Sequence, residues 1–193
     1  SLNANTTGER NVAVGALALD ANTTGTYGVA IGYSALGSNT TADGNTAIGY
    51  NVLGANTTGI SNVGLGLSAL SANTTGYRNV AIGMNSLDAN TTAQDNTAVG
   101  WGSLTTNTTG TENVAVGTTA LESNSTGHDN TAIGYNALSA NTTASDNTAV
   151  GKGAMQTNTT GSSNVVVGRD ALKVNTTGID NVAIGAYALD ANT

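Results

Sequence analysis

A 17-residue unit restarts without insertion at positions 11, 28, 45, 62, 79, 96, 113, 130, 147, 164 and 181. Its pattern opens Asn, Val/Thr, Ala, Val/Ile/Leu, Gly, as in Asn79-Val80-Ala81-Ile82-Gly83. It continues through Leu87 at position nine to Asn90-Thr91-Thr92 at positions twelve to fourteen. A fixed period means that each unit is one coil of a stack, because one inserted residue would carry every later side chain out of line with its copies. The expected fold is all-β: a parallel β-roll or β-solenoid of about eleven coils, one repetitive segment over 1–193. The chain starts and stops inside the pattern and shows no atypical capping unit, so a window of a longer array is expected.

Within a unit, helix is disfavoured. Gly, Asn, Thr and β-branched residues dominate, and apolar positions do not recur at 3.6 spacing. Positions two to four alternate with period two and predict a strand. Gly at position five is invariant from Gly15 to Gly185, as expected where φ is positive or another backbone comes close. A second short strand is expected around Leu at position nine, and Asn-Thr-Thr-Gly is expected to close the coil as a turn with left-handed backbone at Asn and Gly. Asn at positions one and twelve is expected to form side-chain ladders between coils.

The Val/Ile positions of the strand are expected to face the interior. Position three then faces outward, yet it is Ala nine times, Gly64 once and Val166 once. An outward position restricted to small residues predicts packing against another chain along the rod. The chain has no Phe, which suggests a thin interior, and no Pro, which would delete ladder hydrogen bonds.

The five Lys+Arg and net charge of −7 leave no basic stripe for a phosphate backbone, so nucleic-acid binding is not expected. Cysteine is absent, removing disulfides and thiolate metal sites. No membrane-length apolar run occurs, and a membrane span in this segment is not expected.

The string Asn-Val-Ala-Ile-Gly-x-x-Ala/Ser-Leu resembles the Asn-Ser-Val-Ala-Ile-Gly repeat of trimeric autotransporter adhesin heads. The run Gly-Tyr-Asn-Ala-Leu-Ser-Ala-Asn-Thr-Thr at 134–143 is similar to arrays in bacteriophage tail fibres. The adhesin repeat is shorter and usually lacks the Asn-Thr-Thr-Gly turn. The resemblance covers essentially the whole chain. It implies a homotrimer of parallel β-rolls with the Val/Ile/Leu side inside each roll and small residues between subunits. It also implies an extracellular place, on a cell surface or virion, and a task of presenting a receptor-binding tip.

Three repeated features are candidate sites. Asn5, Asn22, Asn39, Asn56, Asn73, Asn90, Asn107, Asn124, Asn141, Asn158 and Asn175 each head an Asn-x-Ser/Thr sequon. They could carry glycans, and the Thr pairs O-glycans; inward amides serving the turn and ladder are the expected alternative. The stacked threonines could form an ice-binding hydroxyl lattice, against the expectation that they satisfy turn backbone groups. Position six carries Tyr33, Tyr50, Leu67, Met84 and Trp101 in successive coils, then Tyr135 after a Thr. Such a row could hold host-surface glycans or a protein partner, or cover a groove between chains.

Enzymatic chemistry is not expected. His128 sits beside Asp129 at variable turn positions, and Asp129 and Asp146 share one position in successive coils without a nucleophile–base constellation. No calcium loop or cofactor motif recurs, and strings such as Gly64-Leu65-Gly66 follow from the repeat. Three functions follow: a shaft or head segment of an extracellular fibre, a lateral glycan- or ice-binding surface, or a glycosylated filament subunit.

Overall fold

The computed structural model describes residues 1–190; the end of the expected repeat, 191–193, lies outside the described residues. The chain is a parallel β-solenoid. Eleven three-residue strands, from β1 (Val12–Val14) to β11 (Val182–Ile184), form one sheet in sequence order, and no element is helical among the described residues. Every pair is parallel and offset by one repeat, for example β5 (Val80–Ile82) on β6 (Thr97–Val99) with Val80↔Thr97, Ala81↔Ala98 and Ile82↔Val99. With about 4.8 Å between strands, the ten steps span roughly 50 Å.

The strand faces are the reverse of the expectation. Ala81 at position three is fully buried, whereas Ile82 at position four is 37% exposed. The column Ala30, Ala47, Ala81, Ala98 lines the interior, and the Val/Ile column looks outward. The small residues are therefore packed inside their own coil and are not available to a sister chain. Period-two alternation separates the faces but does not say which is inside. Leu at position nine decides it: Leu87, Leu104 and Leu121 fill the interior, and the inward residue of the strand is Ala in nine coils, Gly64 in one and no larger than Val166. The interior is thin, with Leu, Met155, Val52 and Val166 as its largest buried side chains.

The expected second strand is absent among the described residues. Positions six to nine form turns in which the backbone alternates hand, with φ of 55° at Asn85 and 49° at Leu87. Left-handed backbone costs a bulky residue about 1–2 kcal/mol. Burying each Leu gains roughly 1.5–3 kcal/mol, and its N–H is paired between coils (Leu87 N donates to Ser103 O at 3.0 Å). The expected positive φ at Asn and Gly of the Asn-Thr-Thr-Gly turn does not occur; besides positions seven and nine it falls at Gly of position five and at position seventeen, as in Asp95 and Glu112.

Both asparagine ladders form. Asn79 Nδ2 donates to Asn62 Oδ1 (3.1 Å) and to Ala93 O (2.8 Å), while Asn79 Oδ1 accepts from the Asn96 N–H (3.1 Å). In the position-twelve ladder, Asn90 Nδ2 donates to Asn73 Oδ1 (2.8 Å) and Ala93 O (3.2 Å). These amides flank the Leu–Ala interior and satisfy the polar groups that coil closure buries.

Candidate binding surfaces

The outward strand positions make the largest continuous feature. Position two is Val or Thr and position four is Val, Ile or Leu in every coil, so mainly β-branched side chains stand in two parallel columns. Leu65, Ile82, Ile133 and Val167 are all exposed. An all-parallel sheet is ordinarily covered on both faces. Here one face holds the coil's own interior and the other is bare in the single chain.

The position-six row lies one residue beyond Gly at position five, so it follows the apolar columns along the rod. Tyr33, Tyr50, Leu67, Met84, Trp101 and Tyr135 are all exposed, and together they extend the apolar surface. Tyr33 and Tyr50 stack face to face, with centroids 5.4 Å apart and ring planes 11° apart. That stacking occupies one face of each of these two rings. Tyr135 has Lys152 Nζ 6.0 Å from its centroid.

The sequon asparagines point inward. Asn22 through Asn175 at this position are buried; Asn5 is half-buried. Asn141 shows the pattern, donating to Asn124 Oδ1 at 2.9 Å and to Ala144 O at 3.0 Å, which engages both amide hydrogens. From Asn22 to Asn175, a folded coil thus offers the sequon nitrogens neither access nor a free N–H.

The two threonine columns differ. At position thirteen the hydroxyl donates to the carbonyl of its copy one coil on, as Thr57 Oγ1 does to Thr74 O (3.1 Å) and Thr74 Oγ1 to Thr91 O (3.0 Å). At position fourteen the threonine is exposed in every coil from Thr7 to Thr177. The flat strand face carries Val and Ile beside its threonines, so the hydroxyls form no two-dimensional lattice.

Charges gather at position seventeen. Arg78 forms a two-pronged pair with Asp95 (Nε–Oδ1 and Nη2–Oδ2, both 2.7 Å), which lowers the Asp95 pKa and raises that of Arg78. Glu112, Asp129 and Asp146 follow in successive coils. A hydrogen bond from His128 (Nδ1–Oδ2 2.7 Å) lowers the Asp129 pKa, whereas hydrogen bonding to the Asp129 carboxylate, with its charge, raises that of Glu112. Among the described residues no cavity opens, and no group of three His, Asp or Glu side chains converges as metal ligands would.

The fold defines a parallel β-solenoid repeat protein with one short strand per coil. No model of a known family matches the chain, and comparison with characterised proteins and with solved structures gave no significant match.

Proposed function

We propose that this chain is a shaft or head segment of an extracellular homotrimeric fibre, of the kind built by bacterial surface adhesins and phage tails, that holds a receptor-binding element away from a surface. The observation that carries this reading is the bare β-branched face running the length of the rod. The stack supplies stiffness, since each coil is tied to the next by strand pairing and two amide ladders. The outward Val/Thr and Val/Ile columns, rather than the alanines, are the contact between chains. The position-six aromatics extend that contact at its flank.

Light scattering after size exclusion tests it. A mass three times the 18.9 kDa chain is expected. Ile82→Lys with Val116→Lys should give 18.9 kDa particles with an unchanged circular-dichroism spectrum. A lone, stable wild-type subunit at micromolar concentration would defeat the proposal. Glycan-array binding that is lost in Trp101→Ala and Tyr50→Ala would instead favour a lateral sugar-binding surface.

A further inference from the structure

Outside the strand, the exposed side-chain positions of this repeat vary freely, with one exception. Position six runs through Ala, Tyr, Leu, Met, Trp, Thr, Lys and Arg, and position sixteen through Glu, Thr, Asp, Ile, Tyr, Gln, His and Ser. Position fourteen is Thr in all eleven coils from Thr7 to Thr177, and every one of these side chains is exposed. Its neighbour at position thirteen has a structural task that its hydroxyl performs, and Ser125 at that position donates to Thr142 O at 3.0 Å in the same way. No position-fourteen hydroxyl is hydrogen-bonded within the protein among the described residues. The backbone asks little of this residue: the Thr75 N–H donates to Thr91 O at 3.2 Å, which any residue but proline could do. Hydrogen bonding within the protein therefore leaves the threonine hydroxyl unused, although it is the one exposed hydroxyl position that never varies.

We infer that position fourteen is an acceptor row for O-linked glycosylation, one hydroxyl per coil at about 4.8 Å intervals. The co-substrate class is a nucleotide-activated sugar, delivered by a glycosyltransferase that reaches the exposed second threonine of the Asn-Thr-Thr turn. In the transfer, Thr Oγ1 attacks the anomeric carbon. The new C–O bond forms as the bond from that carbon to the diphosphate oxygen breaks. The hydroxyl proton passes to a base of the transferase, and the nucleoside diphosphate leaves with the bonding pair. The geometry selects this hydroxyl over its neighbours, since the sequon amide is buried in two hydrogen bonds and the position-thirteen hydroxyl is engaged with a carbonyl. The inference does not depend on the fibre reading, because it needs only the folded coil and an exposed turn.

Peptide mapping of the protein from the cells or particles that make it provides the test. Cleavage before aspartate releases residues 43–87, which contain Thr58 and Thr75 beside Thr57 and Thr74. The expected result is a mass increased by two sugars or sugar chains, with electron-transfer fragments placing them on Thr58 and Thr75. An unmodified peptide, or sugar on Thr57, Thr74, Asn56 or Asn73, overturns the inference. A Thr58→Val, Thr75→Val double variant made in the same host should lose both increments and keep its melting temperature. A drop in melting temperature with unchanged peptide mass would assign these threonines to folding instead.

Discussion

Asn79 illustrates how much one side chain carries in a repeat. Its amide closes one hydrogen bond across its own coil and three along the stack, all of them buried. Asn79→Ala leaves the buried Asn96 N–H unpaired, which costs about 1–3 kcal/mol, and removes the shorter of the two hydrogen bonds to the Ala93 carbonyl, which keeps Asn90 Nδ2. The urea midpoint should fall accordingly, by the equivalent of about 2–4 kcal/mol. The opposite change is available at Gly28, where the position-one ladder is interrupted and the backbone N–H meets Asn11 Oδ1 at 2.7 Å. A Cβ there would lie 3.0 Å from Asn11 Oδ1 and 3.4 Å from Leu19 Cδ1, neighbours that need shift only slightly. Gly28→Asn should therefore raise the midpoint, by about 1 kcal/mol, through the restored ladder and a less flexible unfolded chain. Charge acts more weakly at the exposed turns. The raised pKa of Glu112 means that folding favours its protonated form. The stability it contributes is complete below its ordinary value of 4.5 and is lost as pH rises through the higher folded value. Glu112→Gln removes the repulsion from Asp129, so its melting temperature should exceed wild type at pH 7 by about 1 °C and match it at pH 4.

At the scale of one coil, the strand ends where the backbone of the next coil comes close. Gly100 has φ of +133°, and a Cβ on it would sit 2.6 Å from both the carbonyl carbon and oxygen of Gly117. Gly100→Ala must push adjacent coils apart or change the backbone, and a loss of at least ~3 kcal/mol is expected in urea unfolding, at the upper end of the usual range for a single substitution. This glycine was legible in the sequence, as were the period, the strand and the two ladders, because each is written in residues with narrow conformational or bonding requirements. The direction of the strand faces was not. Val and Ile at positions two and four are the more apolar pair, and transfer energetics alone would place them inside. What excludes them is volume. A signal for this does exist: position eight enlarges to Val52 where position three of the next coil shrinks to Gly64, and a Cβ on Gly64 would collide with Val52 Cγ1. That exchange of volume marks positions three and eight as facing each other across one interior. The left-handed leucines were illegible for a related reason: bulky residues avoid that conformation in isolation, and it takes burial and inter-coil pairing at every copy to hold them there. Sequon spacing likewise could not distinguish a buried amide from an accessible one.

The whole rod sums one nearest-neighbour contact ten times, so its stability depends on what each coil leaves uncovered. The outward strand positions form a strip about 10 Å wide and 50 Å long, on the order of 500 Å² before side-chain relief is counted. Single chains rarely expose a continuous apolar patch larger than about 300–600 Å². A standard interface takes about 800 Å² from each partner, a scale that this strip and the flanking position-six row together approach. Threonine at position two in Thr46, Thr97, Thr131 and Thr148 moderates the strip without interrupting the position-four column of Ile48, Leu65, Ile82 and Val99. If copies of the chain cover this face, assembly is linked to folding and mass action raises the melting temperature with concentration. For a trimer, a hundredfold increase in protein changes the free energy per chain by two-thirds of RT ln 100, about 1.8 kcal/mol. In a chain of this length that corresponds to a rise of roughly 4–7 °C between about 1 and 100 μM by calorimetry. The Ile82→Lys, Val116→Lys variant, with the same interior and ladders, should melt at one temperature across that range. A wild-type transition equally insensitive to concentration would mean that the bare face is not covered by copies of the chain and that the coils are stable alone.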